Sequence, residues 1–481
     1  MKKFFKLCKT EDEFNNIDME YDISYPYVCS VKNSQNVKYF GENYDDDYLT
    51  FTILESGTIT FKSTNDQVNK TISYSIDNGN TWIEFTSSTT EQSLTSDNLN
   101  ANDKIIIKGN NNSYASKIDN TVYYNTFGGT AKVKVSGNIM SLLYSDNFKN
   151  KIELVESYSF YSLFYQYTNL ISSKYLILPA TTLKSYCYYN MFRGCANMID
   201  VPNLPAIELT SNCYYAMFRG CTSIVKTQKL PAKYLSAGCY AAMFMDCTSL
   251  VSTYDLPGEI IYEGSYANMF RNCSSLKIAP KMEATQLDKT SSYYACQYMF
   301  SGCTSLTTAY VPKITNLLAY TEETNWTGAY AYYGMFQKCT SLKTLPTLYA
   351  TTLGFACYCL MFDGCTGLTD IPADYLPSNL NKVYQARCYD CMFRGCTNIT
   401  RAPDLLATVL PEKAYYCMFS GCTKLNYIKM MAIDISEANC LGSWVSNVSS
   451  TGTFVKNAAA TWDVTGNDGV PTGWTVETAS A

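Results

Sequence analysis

The chain has 481 residues, 47% of them hydrophobic, a length and composition that predict two or three domains with substantial cores. Its 37 basic and 42 acidic residues give a net charge of −5, so nothing favours nucleic acid as a partner. The sequence contains no histidine. That absence excludes Ser-His-Asp and Cys-His catalytic sites and histidine-containing zinc sites. We also expect no cofactor.

The N-terminus, "MKKFFKLCKTEDEF", has too short an apolar stretch for a signal peptide, which needs about 7 to 15 apolar residues. No stretch approaches the roughly 20 apolar residues that cross a bilayer. We therefore expect synthesis in a cytoplasm, cysteines that are reduced at first, and no membrane insertion. Residues 1–43 are predicted to be a polar arm with a small hairpin around Ser34–Asn36. The acidic run Tyr44–Asp47 suits a cation site, but we interpret it as a solvated linker.

Residues 44–137 are predicted to form an all-β sandwich, because short β-branched and aromatic runs alternate with Gly, Asn and Asp. Within this segment "SIDNGNTW", residues 75–82, resembles the Asp-box hairpin of sialidases and other β-propellers. We expect Asp77 and Thr81 to bond turn amides, Gly79 to form the turn and Trp82 to pack beneath it. A single copy indicates a structural hairpin rather than a sialidase.

From residue 138 to residue 429 the sequence repeats about ten times. A Met-Phe pair usually recurs 26 residues after the previous one, with insertions of 4, 10 and 5 residues. The phenylalanines are Phe192, Phe218, Phe244, Phe270, Phe300, Phe336, Phe362, Phe393 and Phe419, and a degenerate first copy surrounds Phe164.

Each unit is predicted to contain one short helix and one short strand. Tyr four before the Phe and Met one before it would share a helix face with the Phe. The Gly, Asn or Asp two residues after the Phe is typical of a left-handed helix end, and an aliphatic residue six after it would open a strand. This pattern predicts an α/β leucine-rich-repeat-like solenoid. Residues 430–481, with Trp444, Trp462 and Trp474, are predicted to cap it.

Units such as "MFRGCTSI" and "MFSGCTSL" resemble BspA-like leucine-rich repeats. Those repeats usually carry Ala-Phe where this chain has Met-Phe. The N-terminal "YSIDNGNTW" and the C-terminal "GVPTGWTV" extend this resemblance to proteins of gut Bacteroidales and their tailed, crAss-like phages. The resemblance covers about 430 residues. It implies an adhesion or display surface and, because no secretion signal is present, favours a virion component.

The cysteine three residues after each Phe is predicted to be a buried structural residue that stacks from unit to unit. These residues are Cys195, Cys221, Cys247, Cys273, Cys303, Cys339, Cys365, Cys396 and Cys422. Disulfides between units are conceivable, although parallel side chains give them poor geometry. A zinc site at Cys388, Cys391 and Cys396, with Cys357, Cys359 and Cys365 one unit earlier, is the second alternative.

Four tyrosines three residues before the Phe are candidate contact residues: Tyr189, Tyr215, Tyr333 and Tyr416. A row of exposed aromatic rings suits glycan stacking or a protein partner. Trp326, in the ten-residue insertion, is the candidate for a projecting contact loop.

Together these features predict a non-enzymatic structural or adhesion protein. The preferred setting is a phage virion, as a head or tail appendage or fibre. The N-terminal arm would bind other virion proteins, and the solenoid would bind host surface glycan or protein with the help of avidity. A homo-oligomer is left open. The alternatives are a bacterial cell-surface adhesin and a glycosidase, for which the sequence offers no carboxylate pair.

Overall fold

The computed structural model describes residues 29–33, 36–40, 47–290, 292–317, 328–377, 380 and 385–479, with only the backbone described for the first two ranges. Most of the predicted N-terminal arm therefore lies outside the described residues. The strands are β1 Cys29–Asn33, β2 Asn36–Phe40, β3 Leu49–Glu55, β4 Thr60–Ser63, β5 Thr71–Ser75, β6 Ile83–Thr86, β7 Lys104–Gly109, β8 Ala115–Ile118, β9 Thr121–Gly128, β10 Lys132–Asn138, β11 Leu170–Ile177, β12 Ile260–Ile261, β13 Gln286–Leu287, β14 Tyr427–Met430, β15 Thr453–Lys456 and β16 Thr475–Thr478.

Two sheets form the N-terminal part, one with the order β11-β10-β3-β7-β5-β6 and one with the order β4-β9-β8. Alternating side chains along strands such as β10 point to a shared core, as a half-buried strand requires. There the ring of Phe127 lies 5.2 Å from Phe51 and 4.7 Å from Phe61. β11 pairs in parallel with β10, from Leu170 opposite Val133 to Ile177 opposite Asn138, so the sheet continues past residue 138. β1 and β2 pair separately as an antiparallel hairpin.

The predicted fold class, an all-β sandwich followed by an α/β leucine-rich-repeat-like solenoid, is wrong. Among the described residues the only α-helix is α1, Ser141–Tyr144, beside two short 3₁₀ turns, Asp66–Val68 and Ser145–Asn147. The segments predicted as one helix per unit are continuous series of turns. The predicted strand of each unit is mostly reduced to isolated parallel bridges, such as that between Lys226 and Ser252.

The Phe192 segment shows how these turns are built. Its odd-numbered amides close four-residue turns, as when Met191 N donates to Tyr188 O at 3.2 Å and Cys195 N to Phe192 O at 3.1 Å. The third residue of every second turn has a left-handed backbone: Tyr186, Asn190 and Gly194 have φ of 60°, 55° and 78°. A positive φ at that position is the signature of a type II turn. The segment is thus an alternation of two turn geometries rather than a helix.

The even-numbered amides of the same segment bond the next copy of the segment. Tyr188 N donates to Cys213 O at 2.9 Å, and Phe192 N donates to Met217 O at 2.8 Å. We call each such segment a rung, name it by its phenylalanine, and call the series from Phe164 to Phe419 the turn stack. Turn bonds and rung-to-rung bonds together use each backbone amide once, which removes the penalty for unpaired buried amides.

Side chains in the turn stack follow a period of four: two neighbouring residues are buried, and the next two are more exposed on average, although Ala216 and Ala241 at these positions are buried too. Tyr188 and Phe192 are buried, and so are their counterparts in the next rung. Because the rungs are in register, equal positions stack in columns: Tyr188 lies 5.6 Å from Tyr214, and Phe192 lies 5.5 Å from Phe218. Offsets of four and one residues before the Phe fit a helix as well as this pattern, and this coincidence misled the prediction.

The last rung is covered by the C-terminal segment. Strands β14, β15 and β16 form a parallel sheet there. The ring of Trp444 lies 6.5 Å from Tyr415 and 6.2 Å from Phe419, and its Nε1 donates to Gly469 O at 2.9 Å. Trp444 therefore packs against the last tyrosine and the last phenylalanine of the aromatic columns, and it covers the end of both columns.

We expect Gly220→Ala to lower the free energy of unfolding by about 1 kcal/mol, because L residues pay about that much in the left-handed region. Gly220 has φ of 74°, and an added Cβ would meet no atom closer than 3.8 Å, so backbone strain would be the main cost. Lys338 occupies the equivalent position of its rung with φ of 60°, and Lys338→Gly is the reciprocal change. Urea unfolding should show opposite shifts, and a shift of the same sign in both variants would contradict the assignment.

Candidate functional site

The nine cysteines three residues after each phenylalanine, which we call the ladder cysteines, are all fully buried. Each of their thiols has the same kind of hydrogen-bond partner. Every Sγ lies 3.0–3.2 Å from the carbonyl oxygen of the phenylalanine in the preceding rung, as in Cys221 to Phe192 O and Cys247 to Phe218 O. The repeat pattern assigned these cysteines to the interior and did not indicate this hydrogen bond. The thiol acts as a weak donor that ties one rung to the previous one.

Burial also makes these thiols poor nucleophiles and poor metal ligands. It raises the pKa of Cys247 and of Cys365 to about 12, so the thiolate form that attacks or coordinates is scarce at neutral pH. All cysteines whose side chains the structure describes are free. Across the described ranges, no group of three or more Cys, Asp or Glu side chains is arranged to hold a metal ion.

Tyr189 and Tyr215 lie in adjacent rungs and continue a column that begins at Tyr161. The ring centroids of Tyr161 and Tyr189 are 4.8 Å apart, those of Tyr189 and Tyr215 are 4.5 Å apart, and the planes are nearly parallel. Both faces of the Tyr189 ring are thus covered by neighbouring tyrosines. All three tyrosines are half-buried, and because their ring faces stack on one another, the part that stays accessible suits hydrogen bonding better than stacking.

The other candidate contact residues do not join this column. Beyond Tyr215 the same position holds Ala241, Ala267 and Gln297. Tyr333 makes edge contacts with Tyr298 at 5.2 Å and Tyr330 at 5.6 Å. Tyr416 leans over the next rung, where a Cβ on Gly442 would lie 2.8 Å from its Cδ2. Trp326 lies outside the described residues. The structure therefore brings together two of the five predicted contact residues.

A polar cluster between the Phe336 and Phe393 rungs was missed by the sequence prediction. The carboxylate of Asp363 accepts two bonds from Arg394, at 2.8 and 3.1 Å, and one from Gln337 Nε2 at 2.8 Å. Asp390, also buried, pairs with Arg387 at 2.8 Å. Gln337 and Arg394 lie about one rung from Asp363 in the fold but 26 and 31 residues from it in sequence, so only the register reveals this part of the cluster. Both carboxylates are neutralised by arginine, a geometry that holds side chains in place.

The Asp-box hairpin joins β5 and β6, and Asp77 organises it. Its carboxylate accepts from Ser75 Oγ and Thr81 Oγ1, both at 2.7 Å, and from Thr81 N at 2.9 Å. Gly79, with φ of 89°, forms the turn. Trp82 packs edge-on against Tyr48 at 5.2 Å and lies under Lys108 Nζ at 4.0 Å. Lys108 in turn pairs with Asp146, so these side chains are engaged in structural contacts.

No known protein family, curated protein or solved structure matches the chain. The resemblance to BspA-like repeat proteins therefore stays a prediction. Within the described ranges, no helix has the length and apolar character needed to span a bilayer.

We expect the Asp77 carboxyl to titrate far below an ordinary aspartate. Hydrogen bonds from Ser75 and then Thr81 lower its pKa from 3.8 to about 2. Because the folded pKa is depressed, this stabilisation is present above about pH 4 and is lost as the pH falls toward 2. The carboxyl ¹³C shift of Asp77 measures this pKa directly.

Ser75→Ala should move the Asp77 pKa toward 3.8, because it removes the strongest of these donors. Thr86→Val is the matched control, since the Thr86 hydroxyl bonds only the Thr71 hydroxyl, at 2.7 Å, on the same pair of strands. An unchanged Asp77 pKa in Ser75→Ala would show that the hydrogen bond is not its cause.

Proposed function

We propose that this chain is a non-enzymatic structural and adhesion protein that presents one side of the turn stack to a partner on a host-cell surface. The observation that carries the proposal is the outer column Tyr161, Tyr189 and Tyr215. Its rings stack on one another and leave a row of hydroxyl-bearing edges at a regular spacing. Such a row suits a repeating partner, either a glycan or a protein.

The neighbouring column adds cationic donors to this surface. Arg193 lies 5.8 Å above the Tyr165 ring, and Arg219 bonds Asp246 through Nε at 3.3 Å. Hydroxyl edges and guanidinium groups both donate hydrogen bonds, and glycan hydroxyls and peptide carbonyls accept them. Each contact is weak, so several copies of the chain on one particle would raise the overall affinity by avidity.

The backbone of the turn stack supports a display role. Its amides are committed to turn bonds and rung-to-rung bonds, so the outer side chains are held on a fixed frame. A surface that is pre-organised in this way loses little conformational entropy on binding. The ladder thiols, in contrast, are buried and hydrogen-bonded, and they are poor candidates for chemistry with a substrate.

The setting that we favour is a phage virion, where the chain is a head or tail appendage and residues 1–43 bind other virion proteins. This setting rests on the resemblance of the repeats. Mass spectrometry of purified particles should detect peptides from the chain at a stoichiometry typical of structural proteins. Recovery from the bacterial envelope, with none in particles, would favour the cell-surface adhesin instead.

We expect the double change Tyr189→Phe and Tyr215→Phe to weaken binding to host cells by about tenfold. It removes two hydroxyls, each worth roughly 0.5–1.5 kcal/mol when bonded, and keeps the ring stack. The matched control is Tyr188→Phe and Tyr214→Phe, the same chemical change one residue away, at buried positions whose hydroxyls have no partner among the described residues. Binding is measured with labelled protein on intact cells.

The control variant should bind like the wild type. Equal loss in both variants would indicate a general effect on the fold. No loss in either would exclude this column as the contact surface.

A further inference from the structure

Two cysteines near the C-terminal end of the turn stack occupy the same position in adjacent rungs. Cys391 and Cys417 each lie two residues before the phenylalanine of their rung. Cys391 N donates to Tyr416 O at 2.8 Å, and the two cysteines share a left-handed backbone with φ of 55° and 50°. The spacing between hydrogen-bonded neighbouring chains is about 4.8 Å, within the Cα separations of about 4.4–6.8 Å that disulfides span.

The environment of this pair differs from that of the ladder. Each ladder thiol is held by a phenylalanine carbonyl, whereas Cys391 and Cys417 have no such carbonyl partner among the described residues and lie close enough to shift each other's pKa. The neighbouring Asp390 carboxylate raises the pKa of Cys391. Cys417 is half-buried, while the other cysteines whose side chains the structure describes are buried. This pair is thus the place where a small reagent reaches a thiol that has a second thiol beside it.

We propose that Cys391 and Cys417 are an oxidation site that low-molecular-weight disulfides such as oxidised glutathione convert into a disulfide between the Phe393 and Phe419 rungs. The inference does not depend on the proposed adhesion function. It assigns a covalent modification to Cys391, which the sequence pattern placed in an alternative zinc site, and to Cys417, to which it gave no role.

The reaction proceeds in two exchanges. The Cys417 thiolate attacks one sulfur of oxidised glutathione, forms a mixed disulfide and releases one glutathione thiolate. The Cys391 thiol then loses its proton to solvent and attacks the Cys417 sulfur of the mixed disulfide, which expels the second glutathione as a thiolate that takes up a proton. Two protein thiols are oxidised, one glutathione disulfide is reduced to two thiols, and both protons end on the released glutathione.

Nearby charges have opposing effects on the rate. Burial raises the pKa of both thiols, and Asp390 raises it further, whereas the Arg394 guanidinium lowers it. Because the thiolate is the attacking species, exchange is slow at neutral pH. Because equivalent positions of rungs in register direct their side chains alike, a disulfide between them is strained and easy to reduce. We therefore expect a slow and reversible link, made after the protein leaves a reducing compartment.

The test uses the full-length protein, purified under reducing conditions and then incubated with oxidised glutathione without denaturant. Digestion with trypsin under non-reducing conditions should yield one cross-linked pair, residues 388–394 joined to residues 414–424. Each of these peptides contains a second cysteine, Cys388 and Cys422. The variants Cys388→Ser and Cys422→Ser therefore act as matched controls that keep the proposed pair.

The cross-linked pair should form in the wild type and in both controls, and dithiothreitol should remove it. It should be lost in Cys417→Ser and in Cys391→Ser, with folding verified by thermal unfolding. Three results would overturn the proposal: Cys417 that stays a glutathione adduct with no cross-link, a cross-link that Cys388→Ser or Cys422→Ser abolishes, or a link from Cys417 to Cys359 instead.

Discussion

The alternation of two kinds of backbone hydrogen bond is the constraint on which the turn stack depends. In the Phe192 rung, Met191 N closes a turn onto Tyr188 O, and the next amide, Phe192 N, reaches Met217 O of the following rung. Neither set is sufficient alone, because each leaves half of the amides without partners in a buried segment. The combination requires a left-handed residue at every fourth position. The glycine two residues after the phenylalanine follows from this requirement.

Register between rungs turns a repeated sequence into continuous columns. Phenylalanine rings stack from Phe164 to Phe419 with centroids 5.2–5.9 Å apart, and each such pair contributes about 0.5–1.5 kcal/mol beyond burial. The insertions leave this register unchanged: Phe270 N still bonds Met299 O, and Phe300 N bonds Met335 O. Extra residues are accommodated between rungs because the bonds that define a rung lie within about ten residues of its phenylalanine.

The sequence predicts the period, the buried cysteines and the left-handed position after the phenylalanine, since each recurs at a fixed offset. It does not reveal the backbone between them. A helix and a four-residue turn pattern place Tyr188, Met191 and Phe192 on the same side. The residues that distinguish the two conformations are the other left-handed positions, which hold Tyr298, Leu360 or Cys391 rather than glycine. Those residues are tolerated because the rungs before and after hold the backbone in place. This is an effect of tertiary structure, which the local backbone preference of a residue does not predict.

The same register explains why contact residues were harder to predict than core residues. Burial of a ladder cysteine depends on its own rung, but the exposure of Tyr189 depends on what stands at that position in the rungs before and after it, Tyr161 and Tyr215. At this position the side chains change from stacked, half-buried tyrosines to the buried Ala241 and Ala267, and later in the stack to the buried Cys359 and Asp390. Because turn and rung-to-rung bonds hold the backbone independently of these side chains, outer positions vary without loss of the frame. Functional differences along the chain are therefore expected in the outer columns, while the buried columns stay nearly constant.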